Sequence, residues 1–287
     1  MSRALSAADP VELALACLCF AAAVACCAGS WRSLLLPRMR FSRAYARYSV
    51  GSLVNSFVPA RAGDVVRVTL FARASSGGVL AVAGAIAVAG TARWLALTPL
   101  AAAGTGSRIT PFALLAPGVL VIPLAAALVF APKSRFVSSL RAIRPELAVW
   151  IAGTLAARVA GTTLAGTALH VHHPLVASLL VVPALEIAGI VPLTPGNVGI
   201  AGGAAALAFH LNGTPMAQAL VAGLALHAAE LATGVCVGAA SATFLVIGRE
   251  RRPSSSGAPS RPRLLRRIAA SLCSEAFAMG RRPVTVE

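Results

Sequence analysis

Charge is scarce in this chain, and negative charge is scarcest. Lys, Arg, Asp and Glu make up 12% of the 287 residues, and nine of those residues are acidic. A soluble domain carries about 25% charge, so this chain has too little to cover a water-facing surface. Stretches 79–92, 113–131 and 217–247 are almost free of charge, and each is long enough, or nearly so, for a spanning helix of roughly 20 residues. Their recurrence argues against the core helices of a large soluble protein. Aromatics are also few, at 5%. Without basic and aromatic residues interleaved for base stacking, the net charge of +16 does not indicate nucleic acid. No HExxH, GxSxG or paired-carboxylate motif is present, so an enzymatic role finds no support in the motifs. A phosphate-binding loop is missing too, so transport would be driven by a gradient, by exchange or by a partner. No CxxC pair occurs among Cys17, Cys19, Cys26, Cys27, Cys236 and Cys273, which read as small apolar membrane residues. His170, His172 and His173 read as part of an interhelical loop. Neither a metal nor a cofactor is expected.

What is present is a series of apolar runs separated by basic ones. The runs fall at 11–30, 48–59, 78–103, 113–131, 147–169, 175–193, 198–211 and 217–247. The first follows Arg3 and is followed by Arg32, Arg38, Arg40, Arg43 and Arg47. That asymmetry reads as a membrane helix with its N-terminus outside, not a cleavable signal. Runs 48–59 and 198–211 are too short to span comfortably and have re-entrant length. Run 217–247 reads as one tilted or broken helix.

Segment 31–47 holds five arginines, 132–146 holds Lys133, Arg135, Arg141 and Arg144 against Glu146, and the tail from Arg249 holds nine arginines. By contrast, 104–112 has only Arg108 and 170–174 has no Lys or Arg. The positive-inside rule assigns the first three to the cytoplasm and the last two to the outside. The sides alternate if 48–76 forms a cytoplasmic hairpin, 175–211 forms an external hairpin, and 11–30, 78–103, 113–131, 147–169 and 217–247 cross. The expectation is an all-α, polytopic transmembrane bundle with two broken or re-entrant helix hairpins. Residues 1–248 form the transmembrane domain, and 249–287 form a basic, disordered cytoplasmic tail. Arg263 to Met279 suits either an amphipathic helix on anionic lipid or a solvated tail.

An internal repeat supports the hairpins. Val58, Pro59, Gly63 and Val65 recur as Val191, Pro192, Gly196 and Val198, with Asp64 matched by Asn197. Each stretch would stop a helix at its proline and restart one near its glycine. Three spans separate them, so they enter from opposite faces, as in an inverted repeat with a substrate site near the midplane. Amides at a restarted helix N-terminus favour an anion such as phosphate. Arg61 and Arg67 can clamp one bidentately, and Gly63 and Gly196 admit close backbone approach. Asp64 suits three roles: helix cap, arginine partner or proton acceptor. Thr194 and Asn197 offer neutral donors and acceptors, and Asn197 suits a cap. Arg93, Arg158, Glu186 and Glu230 are supporting intramembrane charges that should face one another or a polar cavity. Arg158 with Glu186, and Arg93 with Glu230, are the candidate pairs.

At these motifs the chain resembles the transmembrane (flippase) region of the lysylphosphatidylglycerol synthase and flippase family, including its stand-alone relatives. The residues that carry the likeness run from Tyr45 through Ser52, Asn55, Pro59, Arg61, Gly63, Asp64 and Arg67, and again from Pro192 to Gly199. In layout it covers 10–247. It implies a multi-pass plasma-membrane protein handling anionic or polyprenyl-linked lipids, with a membrane-protein or synthase partner. The family's soluble synthase domain has no counterpart in the 39 residues after Gly248. Family members tend to carry an acid after the second motif and another beside the arginine matching Arg93. Here Ala201, Gly202 and Gly203 follow the motif, and Ala92 precedes Arg93. The functional expectation is a transporter or flippase for an amphiphile with an anionic head group. The alternatives are a non-transporting lipid-binding or partner protein, and a membrane-embedded lipid-modifying enzyme.

Overall fold

A computed structural model describes residues 9–58, 62–75, 78–105, 145–189 and 195–250, and every regular element among them is a helix. In chain order these are α1 (Pro10–Leu35), α2 (Phe41–Phe57), α3 (Ala62–Ala72), α4 (Gly78–Thr105), α5 (Pro145–Ala168), α6 (Pro174–Ala188), α7 (Val198–Leu211) and α8 (Met216–Glu250). A single 3-10 turn, Pro195–Asn197, leads into α7. The start of α1 is set locally: Asp9 accepts the Val11 amide at 2.8 Å and Pro10 opens the first turn. In its last turn, Arg32 donates from Nε to the Met39 carbonyl at 2.7 Å, closing the turn into α2.

Among the described residues, four helices are long and apolar enough to cross a membrane: Pro10–Leu35, Ala81–Gly104, Pro145–Ala168 and Met216–Ile247. They fall on the expected crossings 11–30, 78–103, 147–169 and 217–247. The fifth, 113–131, lies outside the described residues. In each span the most apolar window is at most 33% buried inside the protein, and the outward residues are as apolar as the inward ones. Leu18 is 65% exposed, Leu95 60% and Val149 69%. Helices apolar all round belong in lipid. The chain is an all-α, multi-pass membrane protein.

The spans pack through small residues, which let backbones approach where lipid supplies no hydrophobic drive. Gly29 on α1 seats the Trp150 ring of α5, and Gly161 on α5 seats Phe20 of α1. One apolar cluster joins α1, α6, α7 and α8 around Phe20, Leu185, Phe209 and Leu226. A second joins α1 to α2, α3 and α4 around Cys27, Tyr48, Phe71 and Val82. Trp31 meets Tyr48 and Phe71 edge-on in it, at 5.7 and 5.1 Å.

The shorter helices form two packed pairs, α2 with α3 and α6 with α7. In the first pair the backbones touch: a methyl group on Gly63 would overlap the Gly51 carbonyl oxygen. Helix α2 begins at Phe41, seven residues before the apolar run at 48. Arg40, Phe41, Ser42 and Arg43 form an exposed entry to it, while Ala44 and Ala46 are already buried. The run at 217–247 belongs to one continuous helix.

Candidate functional site

Between the helices lies a cavity of about 350 Å3, lined by residues of α1, α2, α3, α4, α5, α6 and α8 and of the turn before α7. Its charged wall is a chain of ion pairs. Arg158 of α5 donates to Glu186 of α6, and through Nη2 to Glu230 Oε1 of α8 at 3.1 Å. Arg93 of α4 lies with Nη1 3.7 Å from Glu186 Oε1 and donates from Nη2 to Cys27 Sγ of α1 at 3.4 Å. The pairing thus differs from expectation in one respect. Arg158 serves both carboxylates, and Arg93 faces Glu186 rather than Glu230. Burying unpaired charge in a membrane is costly, and one bridging guanidinium with five donors can satisfy two acids.

The first helix pair supplies the cavity's other polar wall. Arg67 of α3 donates to Asp64 at 2.6 Å, to Ser52 Oγ at 2.6 Å and to the Tyr48 carbonyl at 3.0 Å. It also stacks over the Tyr48 ring, 4.1 Å from the centroid. Asn55 locks the start of α3: its Oδ1 accepts the Gly63 amide at 2.7 Å and its Nδ2 donates to Asp64 at 3.2 Å. The Gly63 amide is therefore committed to Asn55, and of Asp64's three candidate roles the structure exhibits the arginine partner. Neither Gly63 nor Asp64 lines the cavity, whereas Ser52, Asn55 and Arg67 do.

The second break reaches the cavity through Gly196 and Asn197. Both adopt the left-handed conformation, with φ of 61° and 55°, which glycine and asparagine tolerate best. Asn197 occupies the N-cap position of α7 but makes no capping bond. Its Nδ2 instead donates to the Ala188 carbonyl at 2.8 Å, tying the turn back to α6. Gly196 packs against α2, where a methyl group would come 3.3 Å from the Ser56 carbonyl oxygen. Arg67 from the first motif and Gly196–Asn197 from the second thus line one cavity. Arg61 and Thr194, also expected at the site, lie outside the described residues.

Three buried side-chain atoms on the lining residues have no hydrogen-bond partner: Arg93 Nε, Asn197 Oδ1 and His227 Nδ1. Orphaned buried polar atoms are uncommon in folded proteins, and these three belong to residues of one cavity. A family model described as the lysylphosphatidylglycerol synthase TM region matches residues 1–238. The chain belongs to this family. No curated protein and no solved structure matches it. The match to the lysylphosphatidylglycerol synthase TM region takes in every residue that lines the cavity.

His227 is a titratable lining residue that the sequence motifs do not mark. It lies within the apolar run of α8, three positions before Glu230, so the two share a helix face. A polar ring inside a span was the available signal. His170, His172 and His173 are not among the lining residues. Those three lie in and beside the turn joining α5 to α6, where Gln218 of α8 donates to the His170 carbonyl at 2.7 Å.

Proposed function

We propose that this chain is a lipid transporter of the flippase type, acting on an amphiphile whose head group carries an anionic phosphate. The observation that carries the reading is the meeting of the two repeat motifs at one charged cavity among the spanning helices. Arg67, Arg93 and Arg158 face a space of about 350 Å3, enough for a phosphate-sized head group while acyl chains remain in lipid. Arginine suits this role because its planar fork matches phosphate oxygens and keeps its charge when buried. Gly196 and Asn197 complete the lining of the proposed substrate site, Arg61 and Thr194 belong to the proposed set from sequence, and Gly63 and Asp64 support it by holding Asn55 and Arg67. The two helix pairs act as opposed re-entrant hairpins of an inverted repeat, whose relative movement would alternate access to the cavity. The N-terminus lies outside, the basic tail lies in the cytoplasm, and the membrane is the plasma membrane. A polyprenyl-linked lipid or a synthase partner fits the same reading.

Reconstitution tests it. Purified protein in liposomes is expected to move fluorescent phosphatidylglycerol between leaflets faster than a neutral glycerolipid. Arg67→Gln should slow the anionic lipid about 10-fold or more, since a hydrogen bond to a charged group contributes about 1.5–3 kcal/mol. Equal movement of both lipids, unchanged in Arg67→Gln, would refute the head-group site.

A second reading has its own observation. Each of the three arginines is already held by an acid of the protein, as suits a rigid, non-transporting lipid-binding protein. Head-group-dependent binding without leaflet exchange would favour it.

A further inference from the structure

His227 and Glu230 stand in an arrangement that is attractive only with one extra proton. His227 Nε2 lies 2.8 Å from the Gly196 carbonyl oxygen. A carbonyl can only accept, so Nε2 carries hydrogen. The other ring nitrogen, Nδ1, lies 3.6 Å from Glu230 Oε2 and has no hydrogen-bond partner. In a neutral imidazole Nδ1 would present a lone pair to a carboxylate, setting acceptor against acceptor. A proton on either Nδ1 or Oε2 converts the contact into a donor–acceptor pair. The ring is fixed in place, since its side chain is 10% exposed and its far nitrogen is anchored on the turn.

The surrounding charges give that proton a consequence. Glu230 is on the same helix, Arg158 comes from α5, Glu186 from α6 and Arg93 from α4. These four form a chain of two guanidiniums and two carboxylates. Across the cavity Arg67 is matched by Asp64, and Cys27 and Tyr48 complete the titratable lining. Without the extra proton these described charges balance. With it they total one positive charge, which a singly charged phosphodiester would neutralise. Proton and anion would then each favour the other's binding, because coupling between two ligands is reciprocal.

We propose that His227 and Glu230 together bind one proton, taken up with the anionic head group, so that the cavity co-binds proton and lipid without net change of charge. The inference rests on the head-group reading above and adds the coupling ion to it. The same ring holds the Gly196 carbonyl through Nε2–H in either protonation state, so the turn stays anchored while the proton comes and goes at Nδ1 or Oε2.

The test uses the full purified chain in detergent, titrated with short-chain phosphatidylglycerol. Calorimetry in buffers of different ionisation enthalpy counts the protons taken up between about pH 5 and 9, which spans the ordinary histidine range. About one proton per lipid is expected, with affinity falling on the order of tenfold per pH unit above the midpoint. His227→Gln keeps a donor for the Gly196 carbonyl but cannot titrate, so its binding should be independent of pH with no proton uptake. Lipid binding by the wild-type chain without proton uptake overturns the proposal and leaves the head-group site standing. Undiminished uptake by a folded His227→Gln variant does the same. If no phosphatidylglycerol binds at any pH, the head-group reading falls and the proposal falls with it. Should His227→Gln fail to fold, the wild-type proton count decides alone.

Discussion

Replacing Arg158 by methionine removes the guanidinium that bridges Glu186 and Glu230 while keeping most of the side chain's length. Breaking a buried ion pair from one side costs about 3–5 kcal/mol, because the remaining charge stays buried without a partner. Two features place this case at the lower end. Arg93 still faces Glu186 at 3.7 Å, and His227, 3.6 Å from Glu230, can pair with it by taking up a proton. The side chains are also 17–19% exposed to the cavity, which admits some screening. A loss of about 3 kcal/mol is therefore expected, a large share of the roughly 5–15 kcal/mol that holds a domain together. At about 2–4 °C per kcal/mol for a chain of this order of size, the midpoint should fall by about 6–12 °C. The assay is the folded fraction surviving a heating series, read by size-exclusion chromatography in detergent.

The decisive control is the triple variant Arg158→Met, Glu186→Gln, Glu230→Gln. If the cost comes from orphaned carboxylates, neutralising both should recover most of the loss, because a buried ionic cluster exchanged for neutral groups is often close to neutral in stability. A single variant that melts with the wild type, or a triple variant no better than the single, would refute the argument.

The spanning helices were legible because lipid imposes one simple pattern, a long apolar run, and tertiary packing adds little that the run does not already state. The short helices were less so. The start of α2 was hidden by arginines at 40, 43 and 47, because a helix entry that faces outward leaves no apolar signature. The run 198–211 coincides with α7, since glycine at 196 and the turn before it punctuate the sequence sharply. For the charges, the principle that they must find one another located the residues but not their partners. Pairing depends on which faces of α4, α5, α6 and α8 turn inward, and uniformly apolar helices carry no periodicity to reveal that. It was also invisible that Asn197 would bond to Ala188 rather than cap α7, because that contact requires the left-handed turn at 196–197. His227 was visible as the one histidine within the α8 span, yet its meaning depends on a carbonyl 31 residues away.

Two further substitutions probe the packing that holds the cavity. Gly29→Ala should destabilise the α1–α5 contact by about 1–3 kcal/mol, the usual cost of overpacking, because the added methyl overlaps the Trp150 ring. Gly84→Ala, with nothing within 4 Å, should change the same heating series little. Equal melting of the two variants would mean the helices shift apart freely. The second probe is Asn55, whose one amide serves both the Gly63 N–H and Asp64. Asn55→Ala orphans the amide and costs about 1–3 kcal/mol, at any pH. Asn55→Asp keeps an acceptor for Gly63 but sets a second carboxylate beside Asp64. Like charges that close raise the proton affinity of the pair. The folded state then binds a proton more readily than the unfolded chain, so the penalty is present at neutral pH and fades as the pH falls through the raised value. The gap to wild type should narrow between about pH 7.5 and 5 for Asn55→Asp, below which ordinary carboxylates begin to titrate, and stay constant for Asn55→Ala. A gap that does not respond to pH in the aspartate variant would show that the Asn55 amide is not what holds Asp64 beside Arg67.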